Sequence, residues 1–144
     1  MKPTYHYMLM TNHMLLQKKL LTDLKETELT AGQPKVLDYL GQHNGSIQKR
    51  IAAGCQIDPA TLTGLLGRME EKGLIERRSQ DGDRRSLCVY LTEEGWEKQK
   101  LVRSTMERLE EEVLTSLGPV QGEALMEGLL GICLRLAEDR EALQ

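Results

Sequence analysis

The side chains best equipped for chemistry in this chain are cationic, and Asp83, Arg84 and Arg85 stand together within SQDGDRRS at 79–86. A guanidinium stays charged and matches phosphate oxygens with a rigid fork of donors, so such a cluster suits a polyanion. Asp83, two residues before Arg85, can pair with it and aim the guanidinium, which lowers the entropy lost on docking. The plainer alternative is that Arg84 and Arg85 only solubilise a turn. A second group, Thr61, Thr63 and Arg68, could read base edges. A third, Ser46, Gln48 and Lys49, could hold a phosphate backbone through side chains and helix-end N–H groups. Catalytic chemistry finds less support, because no nucleophile, acid–base pair or glycine-rich phosphate loop occurs at a meaningful spacing. His6 and His13 are seven residues apart and His43 is remote, so structural or solvent-exposed roles are favoured over a metal site. Cys55, Cys88 and Cys133 form no C-x-x-C pair, which argues against zinc and disulfides and favours buried, inert thiols in a reducing compartment.

These groups need elements to position them. Asp58 can cap backbone N–H groups, Pro59 suits a first helical position and Gly73 a stop, which predicts a helix over 59–72. Leu62, Leu65, Leu66 and Met69 form its core stripe, leaving Ala60, Gly64, Gly67 and Glu71 on the far face, flanked by Thr61, Thr63 and Arg68. Period-two alternation then predicts a strand with Leu87, Val89 and Leu91 on one face, paired with 74–78 across a turn signalled by Asp-Gly. Helices are also expected over 4–26 and from near Thr30, with Pro34 in its first turn. Ser46 should cap a short helix that faces Ile47 and Ile51 inward. Thr92 should cap a long helix ended by Gly118-Pro119, and a last helix should span roughly 120–141.

A helix followed by a hairpin with a basic tip has a physical use on double-stranded DNA, where the helix fits the major groove and the tip reaches phosphates or the minor groove. The stretch 58–95 resembles the winged helix-turn-helix of the MarR family of transcriptional regulators. Asp83, Arg85, Leu91, Thr92 and Gly95 match the family's D-x-R wing and L-T-x-x-G helix entry, and the resemblance extends over nearly the whole chain. It implies a mainly α fold with a small β-hairpin wing, with residues 30–95 as the DNA-binding part and 1–29 and 96–144 as helical dimerisation parts of one domain. It also implies a homodimer on a pseudo-palindromic operator, and a small organic effector for which His13, Gln17 and Tyr39 are candidate contacts. Three departures stand out: Cys55 replaces a usual Leu, Gln56 a usual turn Gly, and Gly64 a frequent Arg. Some relatives sense peroxides with a cysteine in the first helix, which this chain lacks. Broad apolar bands on the first and last helices, including Met8, Met10 and Met14, read as faces that want a partner.

Among the 144 residues, aromatics make up 3%, too few for stacking on single strands. Net charge is −3, yet residues 46–92 hold eight Lys/Arg against six Asp/Glu, so the weak basic excess falls in the motif. No apolar run approaches the roughly 20 residues that span a bilayer, and no signal segment is evident, which predicts a soluble cytoplasmic protein. The sequence therefore reads as a DNA-binding regulator, a repressor in preference, with no cofactor and no enzymatic role. Two alternatives stay open: a winged-helix protein-interaction module without DNA binding, and a thiol-based redox-responsive regulator centred on Cys55.

Overall fold

The computed structural model describes residues 2–80 and 83–137, and of residues 80 and 83–86 the backbone alone. Among the described residues, six α-helices and three strands follow in the order α1 (Tyr5–Asp23), α2 (Gln33–Gln42), β1 (Ser46–Ile47), α3 (Gln48–Cys55), α4 (Pro59–Glu71), β2 (Ile75–Gln80), β3 (Asp83–Leu91), α5 (Glu93–Leu117) and α6 (Pro119–Leu136). A 3₁₀ turn, Lys25–Thr27, separates α1 from α2, so the first helix stops three residues earlier than its periodicity predicts. The last helix ends at Leu136, where Ala137 turns extended, and positions 138–141 of its expected span lie outside the described residues.

The predicted caps at Asp58 and Thr92 form. Asp58 accepts from the backbone N–H groups of Ala60 at 3.1 Å and Thr61 at 3.3 Å, and Thr92 accepts from that of Gly95 at 3.0 Å. Gly73 takes φ +76° just past α4, as a helix stop requires. The predicted cap at Ser46 does not form. Ser46 lies in β1 and its hydroxyl donates to the His43 carbonyl at 2.5 Å, while Ile47 stands at the cap position of α3 with no capping side chain. Ile47 is also exposed, contrary to its expected inward placement, and Ile51 alone faces in.

The sheet runs β1-β3-β2, antiparallel throughout, with Ser46 opposite Val89 and Ile75 opposite Leu91. Gln80 pairs with Asp83, so both strands reach further than expected, and Asp83, Arg84 and Arg85 belong to β3 instead of a loose turn. One core runs through the molecule: Leu20, Val36, Leu37, Leu40, Ile51, Leu62, Leu66, Met69, Ile75, Val89 and Leu109 are all nearly or fully buried. Each such side chain contributes roughly 1.5–3 kcal/mol by leaving water. This core locks α4 and the hairpin to α2, α3 and α5.

The entry to α5 shows why Thr and Gly are needed there. Thr92 N–H donates to the Leu74 carbonyl at 3.1 Å, and its hydroxyl donates to the Gly73 carbonyl at 2.6 Å. A Cβ at Gly95 would lie 2.0 Å from the Leu74 carbonyl oxygen, so only glycine permits this approach. The end of the recognition unit and the start of the long helix are thereby one joint.

Candidate nucleic-acid interface

Burial of Leu62, Leu65, Leu66 and Met69 fixes the rotation of α4, and the opposite face, with Ala60, Thr61, Thr63, Gly64 and Arg68, is exposed. Gly64 and Gly67 leave that face shallow: nothing lies within 4 Å of a Cβ built at Gly67, and at Gly64 only the Arg68 Nη1 comes near, at 3.4 Å. Arg68 therefore lies along the helix over Gly64. Beside α4 runs the first turn of α3, with Gln48 half-buried and Lys49 and Arg50 exposed. The Gln48 amide donates to the Thr63 hydroxyl at 2.6 Å, and Thr63 donates to the Pro59 carbonyl at 3.0 Å. Sequence reasoning found Gln48 and Thr63 separately but not their contact, and it passed over Arg50. The signal for Arg50 was its place beside Lys49 in the same helical turn.

Among the described residues, Lys49, Arg50 and Arg68 have no ion-pair partner, whereas two neighbouring hairpin arginines do. Arg77 Nε lies 3.1 Å from the Glu70 carboxylate, and Arg78 pairs with Glu76 while its guanidinium sits 4.5 Å above the Tyr90 ring. Within α3, α4 and the hairpin, the described cationic side chains left without an ion pair are thus Lys49, Arg50 and Arg68. Ser46 is half-buried with its hydroxyl hydrogen spent on His43, so its side chain offers no donor to a phosphate. The side chains of Asp83, Arg84 and Arg85 lie outside the described residues.

A cleft of about 470 Å³ opens on another side, lined by His13 of α1, Lys35 and Tyr39 of α2, His43 just past its end, and Cys55 and Gln56 at the end of α3. Its cationic wall is Lys35, whose Nζ is 3.5 Å from His13 Nε2, and its flat wall is Tyr39 stacked on His43 with centroids 4.6 Å apart. Of the three predicted effector contacts His13 and Tyr39 line this cleft and Gln17 does not. Lys35 and His43 escaped the sequence reading because they approach His13 only once α1 and α2 pack. Burial pushes the Cys55 thiol up to about 11, with Lys35 pulling it down and Asp38 up by smaller amounts. A thiol so held stays protonated at neutral pH, which disfavours a redox role. Cys133, expected to be buried, is exposed on α6.

A two-stranded wing beside a helix-turn-helix pair, with a shallow exposed recognition helix and uncommitted cations next to it, defines the class of winged-helix proteins. The MarR family model matches residues 29–87. A Bacillus subtilis protein described as the uncharacterized HTH-type transcriptional regulator YwoH is 32% identical over 110 residues, covering 76% of this chain and 80% of that protein. The organic hydroperoxide resistance transcriptional regulator of Bacillus subtilis is 36% identical over 72 residues, covering 50% of this chain and 49% of its own length. In structure, the MepR–DNA complex of S. aureus superposes with a TM-score of 0.84 at 25% identity, covering 94% of this chain and all of that one. The chain belongs to the MarR family, whose named members among these are transcriptional regulators.

Proposed function

We propose that the chain is a homodimeric, sequence-specific regulator of transcription that binds double-stranded DNA, represses by occluding a promoter, and responds to a small organic effector. The observation that carries this is the exposed, shallow face of α4 beside the uncommitted Lys49 and Arg50. Thr61, Thr63 and Arg68 lie on that face and are assigned to the major groove, with Lys49 on the phosphate backbone. Arg85, aimed by Asp83, is assigned to the minor groove, with Arg84 on a nearby phosphate. Residues 30–95 would form the DNA-binding part.

Residues 1–29 and 96–144 would form the dimerisation part. Support for it comes from the exposed Met8, Leu9 and Met14 of α1 and Leu125, Met126 and Leu130 of α6. Apolar surface on this scale favours a partner, and a second copy closes a two-fold assembly. The cleft at His13, Lys35 and Tyr39 is the effector's place. It touches the end of α3, so occupancy acts on the recognition unit by favouring one spacing of the two α4 helices.

Selection of bound duplexes from a random library at about 50 mM salt, where phosphate contacts still count, tests the reading. A palindrome with half-sites about one helical turn, ~10 bp, apart is expected. Recovery of no consensus overturns it in favour of a protein-interaction module. With the selected operator, Arg85→Ala should weaken binding by roughly 1–3 kcal/mol and leave the fold intact. An unchanged affinity removes the wing from the mechanism.

A further inference from the structure

The recognition face of α4 has few side chains that can form hydrogen bonds, and one of them is already committed. A threonine hydroxyl carries one hydrogen and two lone pairs. In Thr63 the hydrogen goes to the Pro59 carbonyl at 3.0 Å, and one lone pair receives the Gln48 amide at 2.6 Å. Thr63 therefore has no donor to give to a base, and its exposed side chain is left with a methyl group and one lone pair. Because the hydroxyl hydrogen is spent, Thr63 can only accept from Gln48. This also settles which end of the Gln48 amide faces it: the NH₂ group, not the oxygen.

Gln48 is left, among the described residues, with its Oε1 and its second amide hydrogen unspent. That pair is the complement of an adenine edge in the major groove, where N6–H donates and N7 accepts. Its amide is held by the hydrogen bond it donates to Thr63 on the following helix, α4, so little rotamer freedom is left to lose on docking. Gly67, one turn beyond Thr63, leaves that part of α4 bare, with nothing within 4 Å of a Cβ built there, while Arg68 lies over Gly64.

We infer that Gln48, held by Thr63, reads an adenine in each half-site, with the Thr63 methyl packed beside it, so that the two side chains act as one specificity element across α3 and α4. The inference rests on the DNA-binding reading above and turns Gln48 from a backbone contact into a base-reading residue. Thr63 is its positioning residue.

The test repeats the duplex selection with the 144-residue chain and with Gln48→Ala, Thr63→Val and Thr63→Ser. Both positions lie at the surface, and melting curves confirm that the variants are folded. The wild-type consensus should contain an A·T pair whose preference falls roughly tenfold in Gln48→Ala, with the other positions unchanged. Thr63→Val keeps a methyl but removes the acceptor, and it should relax the same pair; Thr63→Ser keeps the acceptor and should retain it. A uniform loss of affinity in Gln48→Ala with the consensus intact makes Gln48 a phosphate contact and overturns the inference. Retention of the preference in Thr63→Val breaks the coupling and overturns it equally. If the wild-type protein selects no consensus, the DNA-reading function itself fails and the inference falls with it.

Discussion

Like Glu28 at φ 61°, Gln56 bears backbone strain. It adopts the left-handed conformation, φ 55° and ψ 44°, at the end of α3, where an L side chain costs roughly 1–2 kcal/mol. Its amide donates to the Ala53 carbonyl at 3.1 Å, which offsets part of this. Gln56→Gly should therefore raise stability by about 0.5–1 kcal/mol in urea unfolding, after allowance for glycine's larger unfolded-state entropy. A loss of stability would mean that the side-chain bond to Ala53 outweighs the strain. The neighbouring Cys55 gives stability a pH dependence. Above pH 9 the unfolded chain releases the thiol proton while the folded chain keeps it up to about 11. Stability conferred by the neutral thiol is thus fully present below pH 9 and declines as pH rises from 9 to 11, by up to about 1.4 kcal/mol per unit. The difference between wild type and Cys55→Ala, measured across that range, isolates this contribution from other titrating groups. A pH-independent difference would refute it.

Among the elements, the joint between the hairpin and α5 offers the sharpest test. Gly95→Ala drives a methyl into the Leu74 carbonyl and should cost at least about 1–3 kcal/mol, whereas Glu94→Ala on the same turn should change little. Equal melting temperatures for the two would remove the joint from the account. The elements were legible wherever their signal is local: Asp58-Pro59 and Thr92 announce helix starts, and Gly73 announces a stop, because caps act within three residues. Strand β1 was not, since two residues carry no period. Ser46 reads as a cap until Val89, 43 residues further on, pairs with it in the sheet. The placement of Ile47 failed for the same reason. The recognition face was legible from the stripe opposite it, but the contact between Gln48 and Thr63 depends on the crossing of two helices, which no spacing within either one reveals.

In the whole molecule, the terminal helices showed in the sequence as apolar bands wider than one internal contact needs, and the structure leaves them uncovered in the single chain. A groove of about 760 Å³ runs between α1, α5 and α6, lined by Met8, Leu9, Val113, Leu125 and Leu129 among others. Replacing Leu125 and Leu129 together by Glu should turn the proposed dimer into a monomer in sedimentation and abolish tight operator binding. The winged unit should keep its melting transition in part. A dimer that survives this change would place the interface elsewhere. The cleft was the least legible feature, because its walls come from three separated segments that meet only in the fold. Helix α5, 25 residues long and spanning about 38 Å, touches the hairpin joint at one end and the terminal helix at the other. As a stiff arm of that length, it converts a tilt of roughly 5° at the dimer end into a displacement of about 3 Å at the far end, close to the ~3.4 Å rise of one base pair. In the proposed dimer, a displacement of that size would put the two recognition helices about one base pair out of step.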